Sequence, residues 1–205
     1  MLKVWGRPDS SATQKVLWMC YEAGIEFDFI MTGGKYGGNF EPDYAAMNPT
    51  GLIPTIDDDG FISWESGSCA RYLAAKYAAG TLWPEDLAVR GTADRWMDWQ
   101  CSHWMDIVPT FAWMIRGNAK FGGDEGAETG RLAAAKAYEM FEDHLEGRDY
   151  VAGDTFTMGD IAMAPRLHQW LNLDIERPSM PNIEAWYARM TERPTFERTF
   201  KLPLT

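Results

Sequence analysis

The chain has 205 residues, of which 30 are acidic and 19 basic, so its formal net charge at pH 7 is −11. This balance argues against broad electrostatic binding to nucleic acid or to anionic membranes. With 46% hydrophobic and 24% charged residues, the composition is that of a globular protein with one or two domains. No run of about 20 apolar residues predicts a membrane span, and the N-terminus lacks the apolar core of a signal peptide.

The cysteines and histidines exclude two classes of site. Cys20, Cys69 and Cys101 are odd in number and lack short spacings, which argues against a disulfide framework and favours a reducing cytoplasm. The three histidines are also far apart. Because no Cys/His cluster has the spacing of metal ligands, we expect no metal site.

Strand and helix patterns alternate along the first part of the chain. Residues 2–5 predict a strand, and the apolar stripe within residues 16–21 predicts a helix. The alternating residues 26–30 predict a second strand, which should run parallel to the first through a right-handed crossover. A glycine-rich loop over residues 33–39 and a short helix over residues 42–47 follow.

A β-hairpin signal comes next. The turn sequence Asp-Asp-Asp-Gly at residues 57–60 lies between strand patterns at residues 53–56 and 61–64. A helix with an apolar side then opens at residues 65–66. The predicted element order of this part is therefore β-α-β-α-β-β-α.

The remaining sequence contains helix patterns and no strand pattern. Residues 79–84 are typical of a linker, so we predict an α/β domain over residues 1–79 and an all-helical domain over residues 87–205. Thr157 and Asp160 have the spacing of a capping box, which indicates a helix start rather than a catalytic site. The helix patterns, with a polar glycine-rich loop over residues 117–126, cover residues 87–115, 129–145, 157–173, 181–190 and 194–200.

Ser10 and Ser11 begin the first predicted helix. Free backbone N–H groups and the positive end of the helix dipole favour an anion there, and a hydroxyl can donate to it. Taken alone, a plain N-cap is the better explanation. The span from Ser10 to Thr13 replaces the Cys-x-x-Cys of a thioredoxin-like unit, which excludes dithiol chemistry.

Two further motifs complete a possible ligand site. A cis Ile53-Pro54 bond would turn the backbone outward for pairing with an extended peptide, although most X–Pro bonds are trans. Glu65 can bind an ammonium group and Ser66 a carboxylate, although an N-cap with an acidic neighbour explains them too. The three motifs lie at one end of the predicted domain. Glutathione, with its amino acid head, central cysteine and extended backbone, satisfies all three.

The ordered set of motifs resembles the cytosolic glutathione transferase family. The resemblance is greatest to its bacterial serine-type members, near the theta, zeta and nu classes. It covers nearly the whole chain, and although no single motif is decisive, their order is specific. The matching segments are residues 10–11, 15–17, 48–54, 57–61, 64–66, 71–74, 95–99 and 157–162.

The resemblance implies an N-terminal thioredoxin-like domain, an all-helical C-terminal domain and a homodimer. It assigns the contact with the glutathione sulfur to Ser10, and Ser11 is also within reach. Leu52 departs from the family, because many members carry a basic or polar residue there. So do Gly67-Ser68-Cys69, where many members have Asn-Ala-Ile. The implied glutathione-binding residues are Lys35, Asn39, Leu52, Ile53, Pro54, Glu65 and Ser66.

The implied activity is conjugation of the glutathione thiolate to small apolar electrophiles, a detoxification reaction in the cytoplasm. Glutathione is the co-substrate, and no other cofactor is implied. Glutathione-dependent reduction of a disulfide or peroxide, and glutathione binding by a non-catalytic regulatory protein, are the alternatives.

Each candidate side chain around the implied ligands has both a ligand-binding and a purely structural explanation. Candidates for the electrophile pocket are Trp104, Phe111, Met114 and Ile115, which core or dimer-interface packing explains equally well. Candidate cations for the anionic co-substrate, each also explained as a surface charge, are Arg7, Lys35, Arg71 and Arg116.

Overall fold

The computed structural model describes residues 1–204, apart from the side chain of Trp104. The chain forms two compact units, Met1–Glu85 with Pro194–Pro203, and Asp86–Arg193. The first unit combines a mixed sheet with helices and the second is helical, so the predicted fold class is confirmed. Among the helices of the described residues, none is long and apolar enough to cross a membrane.

A four-stranded sheet forms the centre of the first unit. Its strands are β1 (Leu2–Gly6), β2 (Phe27–Met31), β3 (Thr55–Asp58) and β4 (Phe61–Trp64), and its helices are α1 (Ser11–Glu22), α2 (Pro42–Met47) and α3 (Ser66–Tyr77). The strand order is β2-β1-β3-β4. β1 is parallel to β2, whereas β3 is antiparallel to both β1 and β4. The predicted parallel pair and hairpin are therefore confirmed.

The helix α8 (Pro194–Phe200) belongs to the first unit, whereas the sequence division placed it in the helical domain. Phe196 and Phe200 pack edge-on against Trp18 of α1, at ring-centre distances of 5.7 and 5.5 Å. Trp18 is fully buried, and its Nε1 donates to Thr195 Oγ1 at 3.0 Å. The difference arises because an aromatic surface distant in sequence, not a local pattern, determines where this short helix packs.

The second unit contains the helices α4 (Leu87–Arg116), α5 (Gly123–Leu145), α6 (Met158–Asn172) and α7 (Pro181–Thr191). α5 begins inside the stretch that the sequence predicted to be a loop. A Cβ atom on Gly126 would lie 1.7 Å from the Phe121 carbonyl oxygen, and one on Gly130 would lie 2.9 Å from Thr110 Oγ1. These glycines therefore allow close packing rather than ending the helix.

Thr157 and Asp160 form the predicted capping box at the start of α6. Asp160 is fully buried and accepts hydrogen bonds from the N–H groups of Val151 and Thr157 and from Trp186 Nε1, each at 2.8 Å. Desolvation raises the pKa of Asp160 to about 6 despite these donors. One carboxylate thus joins the start of α6 to α7 and to the preceding loop.

A second buried carboxylate joins the sheet to α3. Asp58, at the end of β3, is 3% exposed and accepts hydrogen bonds from Lys76 Nζ at 2.6 Å and from the Tyr72 and Tyr77 hydroxyls at 2.8 Å. Burial acts to raise the pKa of Asp58, but these hydrogen bonds, led by that from Lys76, hold it below its usual value. The cluster fixes the C-terminal half of α3, and so determines where Ser66 lies at its other end.

Candidate functional site

One end of the sheet carries all three predicted motifs. Trp5, Thr55 and Trp64 lie side by side, because Thr55 of β3 pairs with Trp5 on one side and with Trp64 on the other. The loop before α1 leaves β1 just beyond this row of residues. Residues 53–54 enter β3 just before the row, and residues 65–66 follow β4 directly. Chain connectivity therefore places the three motifs together.

Ser10 is the N-cap of α1, and Ser11 is the first residue of that helix. Ser10 Oγ accepts a hydrogen bond of 3.4 Å from the Thr13 N–H. Because a hydroxyl can accept and donate at once, the proton of Ser10 remains available to an anion. Ser11 is only 6% exposed, whereas Ser10 is partly exposed, so a ligand reaches Ser10 more easily.

The Ile53-Pro54 peptide bond is cis, which is the geometry that the sequence analysis required for pairing with an extended peptide. The preceding residue, Leu52, is 63% exposed. Its carbonyl oxygen accepts hydrogen bonds from the Tyr44 hydroxyl at 2.5 Å and from Asn48 Nδ2 at 2.9 Å. The hydrogen bonds from Tyr44 and Asn48 thus fix the backbone that leads to Pro54. This preorganisation reduces the conformational entropy that would be lost on ligand binding.

Sequence reasoning missed Tyr44 and Asn48 as supports of this loop. Both are buried, and both contact Thr55 Oγ1, at 2.8 and 3.0 Å. One signal was available, because Asn48 begins an Asn-Pro-Thr-Gly turn in which its Oδ1 accepts from the Thr50 N–H at 3.1 Å. The contacts with Thr55 depend on the fold, so local turn chemistry did not reveal them.

Glu65 and Ser66 lie at the start of α3, as its N-cap and first residue. Glu65 has a φ of 67°, a region that residues other than glycine rarely adopt. Such strain persists only where the surrounding structure imposes it, and it is frequent in ligand sites. Ser66 is 9% exposed, and its N–H is among the groups that a helix start leaves without an intrahelical partner.

The loop after β2 carries the other two predicted ligand residues. Lys35 lies in a short 3-10 helix, Gly34–Tyr36, and its Nζ is 5.2 Å from the centre of the Tyr36 ring. Asn39 Nδ2 donates to the Gly51 carbonyl oxygen at 2.7 Å. Asn39 therefore joins this loop to the segment that leads to Ile53.

The predicted electrophile-binding residues lie in the C-terminal half of α4. The spacing of Phe111, Met114 and Ile115 places them on one helix face. Phe111 is 4% exposed and Met114 is 46% exposed. The Arg116 guanidinium lies 5.1 Å from the centre of the Phe111 ring. The side chain of Trp104 lies outside the described residues.

The cysteines of the first unit cannot supply a thiolate. Cys20 and Cys69 are fully buried, and burial raises the pKa of Cys20 strongly and that of Cys69 to about 12. A protonated, buried thiol is a poor nucleophile, so thiolate chemistry at this sheet end needs a thiol from a ligand. Within the described part of the chain, no group of three His, Cys, Asp or Glu side chains is placed to hold a metal ion.

Comparison with known proteins agrees with this geometry. The family models described as the N-terminal and C-terminal domains of glutathione S-transferase match residues 9–76 and 104–194. Glutathione S-transferase GstB of Escherichia coli (strain K12) is 31% identical, over 100% of both chains. Glutathione S-transferase 3 of Zea mays is 29% identical, over 97% of this chain and 92% of its own.

A solved structure extends the likeness to three dimensions. The theta class glutathione S-transferase of the citrus canker pathogen Xanthomonas axonopodis pv. citri, with glutathione bound, is 36% identical. Its TM-score is 0.94, over 100% of this chain and 99% of that one. These comparisons do not favour the reductase or the regulatory alternative. The chain belongs to the glutathione S-transferase family.

Proposed function

We propose that this enzyme binds glutathione at the end of its sheet and conjugates the thiolate to small apolar electrophiles. The row of paired residues across β1, β3 and β4 carries this proposal. Beside this row lie the Ser10 hydroxyl at the start of α1, the exposed backbone segment at Leu52, and Glu65 next to Ser66. The similar Xanthomonas enzyme has glutathione bound, which supports glutathione as the ligand here.

Each part of glutathione has a proposed partner. Glu65 binds the ammonium group of the γ-glutamyl head, and Ser66 binds its carboxylate. The backbone of Ile53 pairs with the cysteinyl part, with Leu52 and Pro54 flanking it. Lys35 and Asn39 lie near the glycine carboxylate.

Ser10 then donates a hydrogen bond to the sulfur. A thiol with a pKa of about 8.5 is only about 3% ionised at pH 7, and lowering its pKa by about two units takes roughly 2.7 kcal/mol. A hydrogen bond to a charged group contributes about 1.5–3 kcal/mol, and a helix N-terminus about 0.3–1 kcal/mol. Ser10 and the start of α1 are therefore sufficient to make the thiolate the major form.

The electrophile is proposed to contact Trp104, Phe111, Met114 and Ile115 of α4. The helix face that carries Phe111, Met114 and Ile115 offers apolar surface to a small molecule at its partly exposed residues Met114 and Ile115, and these include no acid or base. Catalysis therefore depends on the thiolate and on its position beside the electrophile rather than on proton transfer by this face.

Comparing two substrates tests this function. Turnover of a chloro-dinitroaryl compound and of a glutathione mixed disulfide is measured with the same enzyme and glutathione concentrations. We expect conjugation to dominate, because the proposed site holds one glutathione thiolate at Ser10, whereas Ser11 is more buried. Turnover of the disulfide alone, or tight glutathione binding with no activity on a broad electrophile panel, would contradict the proposal.

We further propose a cytoplasmic homodimer that serves detoxification. Large apolar side chains are exposed in both units, including Phe61 at 49%, Leu132 at 55% and Met140 at 58%, and a second copy would cover such surface. A solution mass near twice 23.2 kDa is the expected result, and a mass near one chain contradicts it. The unpaired cysteines suit a reducing compartment.

A further inference from the structure

Two consecutive glycines lie between the Ile53 loop and the turn that precedes α1. Gly33 and Gly34 follow β2 with φ angles of 84° and 57°. A Cβ atom on Gly33 would lie 3.2 Å from the Ile53 side chain, and one on Gly34 would lie 3.3 Å from Cδ and Nε of Arg7. The glycine backbone is therefore in contact with the Ile53 loop on one side and with the stem of Arg7 on the other.

Arg7 belongs to the turn that positions Ser10. The Ser10 N–H donates to the Arg7 carbonyl oxygen at 3.1 Å, which closes a turn immediately before α1. Within the same turn, Arg7 Nη1 donates to Asp9 Oδ2 at 2.6 Å. The two side chains are only 23% and 17% exposed. The guanidinium of Arg7 thus stabilises the turn through its ion pair with Asp9, while the aliphatic stem of Arg7 packs against Gly34.

From this geometry we infer that Arg7 is a positioning residue for the thiolate of bound glutathione. By pairing with Asp9 and packing on Gly34, it keeps the Ser10 hydroxyl aligned with the Ile53 loop. The inference rests on the proposed function, because it assumes that Ser10 donates to the ligand's sulfur. A hydrogen bond to an anion weakens steeply when the donor turns away, so a loosened turn would leave the thiol more basic.

A double-mutant cycle tests this inference. Arg7→Met keeps the stem but removes the ion pair, and the pKa of bound glutathione is read from thiolate absorbance in Arg7→Met, Ser10→Ala and the double variant. We expect Arg7→Met to raise that pKa by about one unit, which means about tenfold less thiolate at a pH below both pKa values. Because Arg7 acts through Ser10, the double variant should show no further rise beyond Ser10→Ala.

Two controls separate this effect from loss of charge and from misfolding. Lys3→Met removes an exposed positive charge from β1, four residues before Arg7, and should leave the thiol titration unchanged. Asp9→Asn removes the same ion pair by neutralising the carboxylate, so it should raise the pKa of bound glutathione as Arg7→Met does. If Arg7→Met fails to fold, Asp9→Asn takes its place in the cycle. Thermal unfolding by circular dichroism shows which variants are folded.

The outcomes distinguish this inference from the proposed function. An unchanged titration in both Arg7→Met and Asp9→Asn overturns the role of Arg7. Additive shifts in the double variant overturn positioning, because Arg7 would then act as an independent charge. A wild-type protein that binds no glutathione contradicts the proposed function itself.

Discussion

Replacing Ser10 by alanine is expected to raise the pKa of bound glutathione by about one to two units, the equivalent of the roughly 1.5–3 kcal/mol that a charge-assisted hydrogen bond contributes. At pH 6.5, where about half of the bound thiol is already ionised in the wild type, this predicts a fall in kcat/KM of about 5- to 50-fold. The loss should shrink near pH 9, where the thiol ionises without help. Thiolate absorbance as a function of pH, with conjugation rates at both pH values, measures the effect.

Variants at Ser10 and Ser11 identify which of the two hydroxyls stabilises the thiolate. Ser11→Ala removes the adjacent, more buried hydroxyl and should leave the titration near that of the wild type, whereas Ser10→Thr keeps a hydroxyl and should restore part of the activity. Loss of the Ser10 N-cap also costs about 1 kcal/mol of helix stability, so unfolding is measured alongside. A shift in Ser11→Ala but not in Ser10→Ala would transfer the role to Ser11.

Replacing Asp160 by alanine is expected to lower the free energy of unfolding by about 3–9 kcal/mol. The substitution leaves the N–H groups of Val151 and Thr157 and the Trp186 indole buried without their acceptor. Each orphaned donor costs about 1–3 kcal/mol, against a total stability of about 5–15 kcal/mol. Denaturant unfolding at pH 7.5 measures the loss.

An exposed aspartate provides the matched control. Asp86 also caps a helix and accepts from the N–H groups of Ala88 and Val89, but water can replace it there. Asp86→Ala should therefore lower the free energy of unfolding by much less than Asp160→Ala. Equal losses in the two variants would contradict the view that burial makes Asp160 important.

Asp160 also predicts a pH dependence of stability. Its pKa in the folded protein is raised to about 6, above the value of about 3.9 expected in the unfolded chain. Between these values the folded protein binds the proton more tightly, so this contribution is present below pH 4 and is lost as the pH rises through 6. Comparison of wild type with Asp160→Asn isolates the effect, because the variant lacks the titrating group.

The hairpin and the capping box were predictable because their signals are local. At the hairpin turn, Asp59 and Gly60 adopt positive φ angles of 52° and 95°, and the Gly60 N–H donates to Asp57 Oδ1 at 2.7 Å. Thr157 and Asp160 likewise satisfy backbone groups within one helical turn. In both cases the interacting atoms are a few residues apart, so the sequence alone reveals them.

The location of the candidate site was predictable for a related reason. A short crossover places β2 parallel to β1, and a tight turn places β4 beside β3. Once those strand pairs form, chain connectivity restricts the positions that the segments carrying Ser10, Ile53 and Glu65 can occupy. The residues that hold these segments, such as Asn48 with Thr55 and Arg7 with Gly34, depend on contacts between segments and were not predicted as supports.

The sequence by itself determined the helices and strands, their order and the three motifs, because periodicity, caps and turns act over a few residues. Only the tertiary structure decided that α8 packs on Trp18, that Gly126 lies in a helix, and that Ser10 is more accessible than Ser11. Close packing and burial are properties of surfaces brought together from distant parts of the chain. No local pattern contains that information.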